Sequence, residues 1–189
     1  MRAKTASNAS AGPPKRSFAP VVDAQAQVLV LGTLPGEESL RRGEYYAHPR
    51  NLFWPIIFAL FGASPTLNYA ERLAFVKAHR IALWDVCEIG ERDRSADTTI
   101  RLERPNTIDR LLDRHPLIRA VAFNGTTARR LYDRHFARRP ALTYLALPST
   151  SPAHATIDFS AKLGRWTVLR EVIEQLVRER RQLQKLTVS

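Results

Sequence analysis

Val28-Leu29-Val30-Leu31 is the stretch that most limits what this chain can become. Four aliphatic residues in a row leave no polar side, and the run is too short for a helix, so it suits a strand covered on both faces. Gly32, Pro35 and Gly36 follow and turn the backbone out of the sheet, both glycines being able to take positive φ. In an open parallel sheet, ligands bind in the crevice outside the carboxyl end of such a strand. The polar loop that comes next brings Tyr45, Tyr46, His48, Arg50 and Asn51 toward that crevice. Stacking faces, a guanidinium fork and a neutral amide are thus expected side by side.

The same grammar repeats along the chain. A helix is expected from about Leu52, with Pro55 in its first turn and Gly62 at its end. A second helix runs from Tyr69 to about His79. Ile81 to Val86 is a second buried strand, in which Asp85 is the odd member: a buried carboxylate needs a partner or a job. The residues from Glu88 to Ile100 read as a loop. A helix over Ile108 to His115 has Asn106 or Thr107 as its cap. Leu117 to Phe123 is a third strand, and Asn124-Gly125-Thr126 turns it into a helix passing Leu131 and Phe136. Leu142 to Leu147 is a fourth, closed by Pro148-Ser149-Thr150-Ser151-Pro152. A last helix from about Ser160 to Gln184 carries Trp166, Leu169, Val172, Ile173, Leu176 and Val177 on its apolar side. Strands alternating with helices predict an α/β fold, a three-layer α/β/α sandwich on a short, mainly parallel four-stranded sheet.

The 189 residues suit one domain, expected over 21–189 and preceded by a basic tail over 1–20 that is disordered or draped on the surface. Lys+Arg 29 against Asp+Glu 18 gives a net charge of +11 and a pI near 10.6, an electrostatic footprint of nucleic-acid binding. Cys87 is the single cysteine, which excludes an internal disulfide and a cysteine-ligated zinc or iron–sulfur site made by this sequence. No apolar run reaches the ~18 residues of a membrane span, and the basic N-terminal stretch lacks the apolar core of a secretory signal. A monomer in the cytoplasm, with no metal and no cofactor, is expected.

Common signatures are missing: there is no G-x-G-x-x-G, no G-x-x-x-x-G-K-[ST] and no G-x-S-x-G. No histidines sit at metal-ligand spacing. What remains is four strand-end loops that meet on one edge of a parallel sheet. The first holds Gly32, Thr33, Leu34, Pro35, Gly36, Tyr46, His48, Arg50 and Asn51. The second holds Asp85, the third Asn124, and the fourth Ser149, Thr150, Ser151 and His154. Amides, hydroxyls and a tyrosine with few strong bases suit a bond whose leaving group needs hydrogen bonds and whose nucleophile is water that needs only orienting.

On these residues rests a resemblance. GTLPG, YYAHPRNLFW, LWDV, FNGTTAR and LPSTSPAHA, in that order between Val28 and Trp166, resemble the uracil-DNA glycosylase superfamily. Within it they look most like the hypoxanthine-DNA (deoxyinosine) glycosylase branch. The resemblance implies DNA containing deaminated bases as partner and excision of the base, hypoxanthine first. A G/U or G/T mismatch-specific uracil/thymine glycosylase and a non-catalytic DNA-binding module of the same fold are the alternatives. The mismatch branch carries a catalytic asparagine in its first turn, where this chain has Leu34.

The resemblance further implies Asn51 as the catalytic group and Tyr46 as the ring on which an extruded base stacks. Backbone N–H groups of the Gly32–Gly36 turn would bind the base's polar edge, with Asp85 or Asn124 adding selectivity. His48, Arg50, Ser149, Thr150, Ser151 and His154 would contact DNA, His154 as wedge or as phosphate ligand. Bland roles stand beside these: Asn51 as a helix cap, Asp85 as a buried acceptor, Asn124 as turn chemistry, Tyr45, Phe53 and Trp54 as core aromatics.

Overall fold

The structure, a computed structural model, describes residues 14–92, 100–154 and 157–187. Four parallel strands form the main sheet: β2 (Val28–Gly32), β3 (Ile81–Asp85), β6 (Ala120–Asn124) and β7 (Thr143–Leu147), in the order β3-β2-β6-β7. Every residue of β2, β3 and β6 is buried. Successive strand residues face opposite sides, so both faces of the sheet are covered. The expected α/β architecture is the observed one. Six α-helices are described: α1 (Glu37–Arg42), α2 (Phe53–Leu60), α3 (Tyr69–Ala78), α4 (Ile108–Arg114), α5 (Thr126–His135) and α6 (Phe159–Thr187).

Register sets the level of the site. Gly32 pairs with Asp85 across β2 and β3, and Asn124 pairs with Leu147 across β6 and β7. The four strands therefore end together, and their loops open on one edge. Behind them α2 is apolar on most sides and packs against α6. Phe53 at its start meets Trp166 of α6 edge-on at 5.9 Å, and both are fully buried.

Four local readings change. The polar loop after Gly36 contains α1, with Glu37 and Glu38 in its first turn, Arg41 and Arg42 in its last, and Gly43 closing it at φ 68°. The loop after Cys87 is a hairpin of β4 (Cys87–Arg92) and β5 (Ile100–Pro105), and β1 (Lys15–Arg16) adds to β4 to make a second, antiparallel sheet. The tail boundary at residue 20 also moves. Lys15 and Arg16 pair with Gly90 and Ile89, and Val21 bridges Leu83 in both directions at 2.8–2.9 Å. Residues 15–21 are thus stitched in, Lys15 and Arg16 to β4 and Val21 to the β3 edge, which would otherwise stand open; the first thirteen residues of the expected tail lie outside the described ones. Finally, Asn106 is no side-chain cap: its Nδ2 donates to the main-chain oxygens of Asp85 and Cys87 at 2.9 and 3.0 Å, bracing the β3–β4 junction.

Candidate active site

The carboxyl ends of the parallel strands open into a cleft. Of the residues singled out from the sequence, all but Arg50 and His154 line it; Glu37, Glu38, Ser39, Tyr45 and Pro152 join them.

Gly32 ends β2 at the floor. A Cβ built on it would lie 2.5 Å from Asp85 Oδ1 and 3.3 Å from the Tyr46 hydroxyl. Glycine is needed here because the neighbouring strand's carboxylate reaches across the backbone. Positive φ, the expected reason, applies to neither glycine; Gly36 is extended at φ −74° and precedes α1. Pro35 has no N–H to offer a ligand.

Asp85 is 3% exposed. Ser17, on the stitched N-terminal segment, donates from Oγ to Asp85 Oδ2 at 3.1 Å. Nothing near Ser17 in the sequence pointed to this.

The two adjacent tyrosines part company. Tyr45 is core: its N–H donates to the Tyr69 hydroxyl, its carbonyl accepts from Trp54 Nε1, and its hydroxyl lies 3.3–3.4 Å from the carbonyls of Phe18 and Ala19. Burial, and then the charge of Asp85, push its phenol well above the ordinary range. Tyr46 takes φ 57°, left-handed backbone that is costly for an aromatic residue. That conformation sends its ring onto Phe53, stacked at 3.9 Å and 21°. Phe53 covers one face of the ring, and the ring borders the cleft.

Asn51 stands one residue before the N-cap of α2, Leu52; its Oδ1 accepts from Phe53 N at 2.9 Å, fixing the amide just ahead of the helix while it lines the cleft. His48 Nδ1 accepts from Arg50 N at 3.1 Å, which puts the proton of the neutral ring on Nε2. The Arg50 side chain is exposed and forms no ion pair among the described residues.

The fourth loop is fastened from three directions. Asn124 and Thr150 clamp one another: Asn124 Nδ2 donates to Thr150 Oγ1, and Thr150 N donates to Asn124 Oδ1, both at 2.9 Å. Thr150, one of three hydroxyls expected to donate to phosphate, is fully buried; its neighbours Ser149 and Ser151 are half-buried. Thr150 O accepts from Leu52 N at 3.0 Å, tying this loop to the Asn51 segment. Gly125, at φ 101°, lets the turn pass so close that an added Cβ would lie 2.9 Å from that of Ser149. From α6, Trp166 Nε1 donates to Pro148 O at 3.0 Å and Lys162 Nζ to His154 O at 2.8 Å. Lys162 is 1% exposed, and burial lowers its pKa. The sequence hid it as one lysine among many; its only signal is a place one helical turn before Trp166.

At the rim, Arg41 and Arg42 hydrogen-bond to Glu38 and hold its carboxyl down to about 2. No group of three or more His, Cys, Asp or Glu among the described residues could hold a metal ion.

The model of the uracil DNA glycosylase superfamily matches residues 19–170, and the chain belongs to that superfamily. Among individual proteins, it is 40% identical over 112 residues to a hypoxanthine DNA glycosylase of Methanosarcina barkeri, covering 59% of this chain and 71% of the relative. A hypoxanthine DNA glycosylase of Methanosarcina acetivorans is 37% identical over 115 residues, covering 60% and 73%. The solution NMR structure of a candidate uracil DNA glycosylase from M. acetivorans superposes with a TM-score of 0.72 at 31% identity, covering 86% of this chain and 99% of that one.

Proposed function

We propose that this protein is a monofunctional DNA glycosylase that excises deaminated bases, hypoxanthine from deoxyinosine first, and leaves an abasic site. The observation that carries the reading is the meeting of Tyr46, Asp85 and Asn51 in one cleft at the sheet's carboxyl edge. The names of the two curated relatives support the base preference.

A purine in a duplex is out of reach until its nucleotide rotates out, at a cost of a few kcal/mol. Stacking on the Tyr46 ring returns ~1–3 kcal/mol of this. Phe53 backs that ring, so the ring need not reorganise when the base arrives. Asp85 and the Gly32–Gly36 turn face the polar edge of the base. Asn51, immobilised by its bond to Phe53 N, orients a water below C1′ through its amide. The C1′–N9 bond breaks with its electron pair leaving on the purine; the water oxygen bonds to C1′, and its proton ends on the departing base. Nothing in this step needs an oxidant or a reductant. Ser149 and Ser151 each accept from a main-chain N–H, at 3.2 and 3.3 Å, which leaves their hydroxyl protons to donate to phosphate oxygens. Arg50 supplies charge beside them.

No helix among the described residues is long and apolar enough to cross a membrane. The protein acts on DNA, as a monomer and in the cytoplasm. The mismatch-specific alternative is weakened by Leu34, whose buried side chain in the first turn cannot orient water.

The test uses end-labelled duplexes with one deoxyinosine, deoxyuridine or deoxyxanthosine, treated with alkali after incubation under EDTA. Inosine should be cut fastest. Asn51→Ala should lose ~10²–10³ in rate with duplex affinity retained. Cutting at uridine alone would move the protein to the mismatch branch, and none at all would leave a binding module.

A further inference from the structure

Deamination of adenine changes one ring atom in kind. N1, a bare acceptor in adenine, becomes an N–H donor in hypoxanthine. An ionised carboxylate is acceptor-only: it binds an N–H and repels a bare ring nitrogen. A protonated carboxyl could donate to that nitrogen, and the distinction would be lost. Asp85, at the floor of the cleft with Oδ1 lying over Gly32, is placed to make it. Burial alone would work against the ionised form.

Ser17 supplies the counterweight. Its hydroxyl proton is within reach of Phe18 O at 3.2 Å and of Asp85 Oδ2 at 3.1 Å, and the charged acceptor is the stronger. A hydrogen bond donated to a carboxylate favours its ionised state and fixes the direction of its other oxygen. The segment carrying Ser17 is anchored on both sides of it. Ser17 N donates to Glu88 O at 2.8 Å, Lys15 reaches Glu37 at 3.4 Å, and Trp84 Nε1 donates to Phe18 O at 3.0 Å. Asn106 braces the Asp85 main chain from below.

We propose that Ser17 is a positioning residue for base selection, holding Asp85 as an acceptor-only group so that the site takes bases presenting a ring N–H and refuses those presenting a bare ring nitrogen. This rests on the reading of the cleft as a base pocket. The N-terminal segment is then part of the specificity apparatus, although Ser17 touches no base.

The experiment measures single-turnover excision from duplexes with deoxyinosine or deoxynebularine, whose unsubstituted purine keeps N1 bare. Wild type, Ser17→Ala, Ser17→Thr and Asp85→Asn are compared, with melting temperature and affinity for undamaged duplex beside them. Ser17→Ala should slow inosine excision about tenfold and narrow the inosine-to-nebularine ratio by a similar factor, with melting and duplex affinity unchanged. Ser17→Thr, which keeps the hydroxyl, should restore both, and Asp85→Asn should narrow the ratio as well. An unchanged ratio in Ser17→Ala overturns the proposal. So does an equal loss on both bases accompanied by early melting, for the hydroxyl would then serve the fold alone. Wild type that leaves inosine uncut would sink the glycosylase reading itself, whereas brisk cutting indifferent to Ser17 sinks only the positioning role.

Discussion

Asn124→Ala asks whether the amide at the end of β6 touches the base or builds the wall that faces it. In the structure both ends of that amide are spent on Thr150, at 2.9 Å each, and Thr150 is fully buried. Alanine removes two hydrogen bonds worth about 1 kcal/mol each and orphans a buried N–H at ~1–3 kcal/mol, so a destabilisation of about 3–5 kcal/mol is expected. At ~2–4 °C per kcal/mol for a domain of this size, melting should fall by roughly 6–20 °C. Thr150 also holds Leu52 N, so the loss passes to Asn51, and a shift of ~1 Å at a positioned group can cost ~10²-fold in rate. Excision of every base should therefore fall together. Thr150→Val keeps the N–H and loses only Oγ1, at about 1–2 kcal/mol, and in the Asn124→Ala background it should add almost nothing. Calorimetry and single-turnover assays on the four proteins close the cycle. Additive losses, or an Asn124→Ala protein that melts normally while its base ranking changes, would refute the clamp and return Asn124 to direct base contact.

Arg50→Ala should weaken binding to any duplex regardless of the base, lower the slope of log affinity against log salt by about 1, and leave the single-turnover rate intact; fluorescence anisotropy at several salt concentrations measures it. Lys162→Met should loosen the fourth loop, so affinity for DNA falls while stability at neutral pH holds, an apolar chain replacing a buried ammonium at little cost. The pH dependence has a definite sign. Folded Lys162 binds its proton less tightly than the unfolded chain, whose lysine sits near 10.5, so wild type should gain stability relative to the variant as pH rises through the window just below 10.5. Urea unfolding at neutral pH and near the top of that window checks this, and movement the other way would rule out burial as the cause.

Much of this architecture is legible in the chain because its signals are local. The runs at Val28, Ile81 and Leu117 are apolar without a break, and Gly, Pro or Asn-Gly closes most strands, so the loops of the site follow from strand direction. The β4–β5 hairpin escaped because charged residues interrupt it and its strands gain their definition from one another and from β1. Helix α1 did carry a signal, acidic at the front, basic behind and glycine after, but at six residues it lies below what apolar periodicity can detect. Thr150 could not have been told from Ser149 and Ser151: which hydroxyl of three turns inward depends on Asn124, 26 positions earlier. Ser17 and Lys162 were invisible for the same reason, being ordinary residues whose importance lies wholly in a distant partner.

The fastening of the fourth loop by α6 also fixes an order of assembly. Pro148 and His154 are held by Trp166 and Lys162, side chains that leave the ribosome after the loop they secure. At the other end of the chain Ser17 waits for Asp85, 68 positions later. A nascent chain that has completed all four parallel strands still has an unsecured wall on its cleft. Enzymatic competence should therefore arrive only with α6, and a truncated translation product that stops before it should bind DNA poorly and excise nothing.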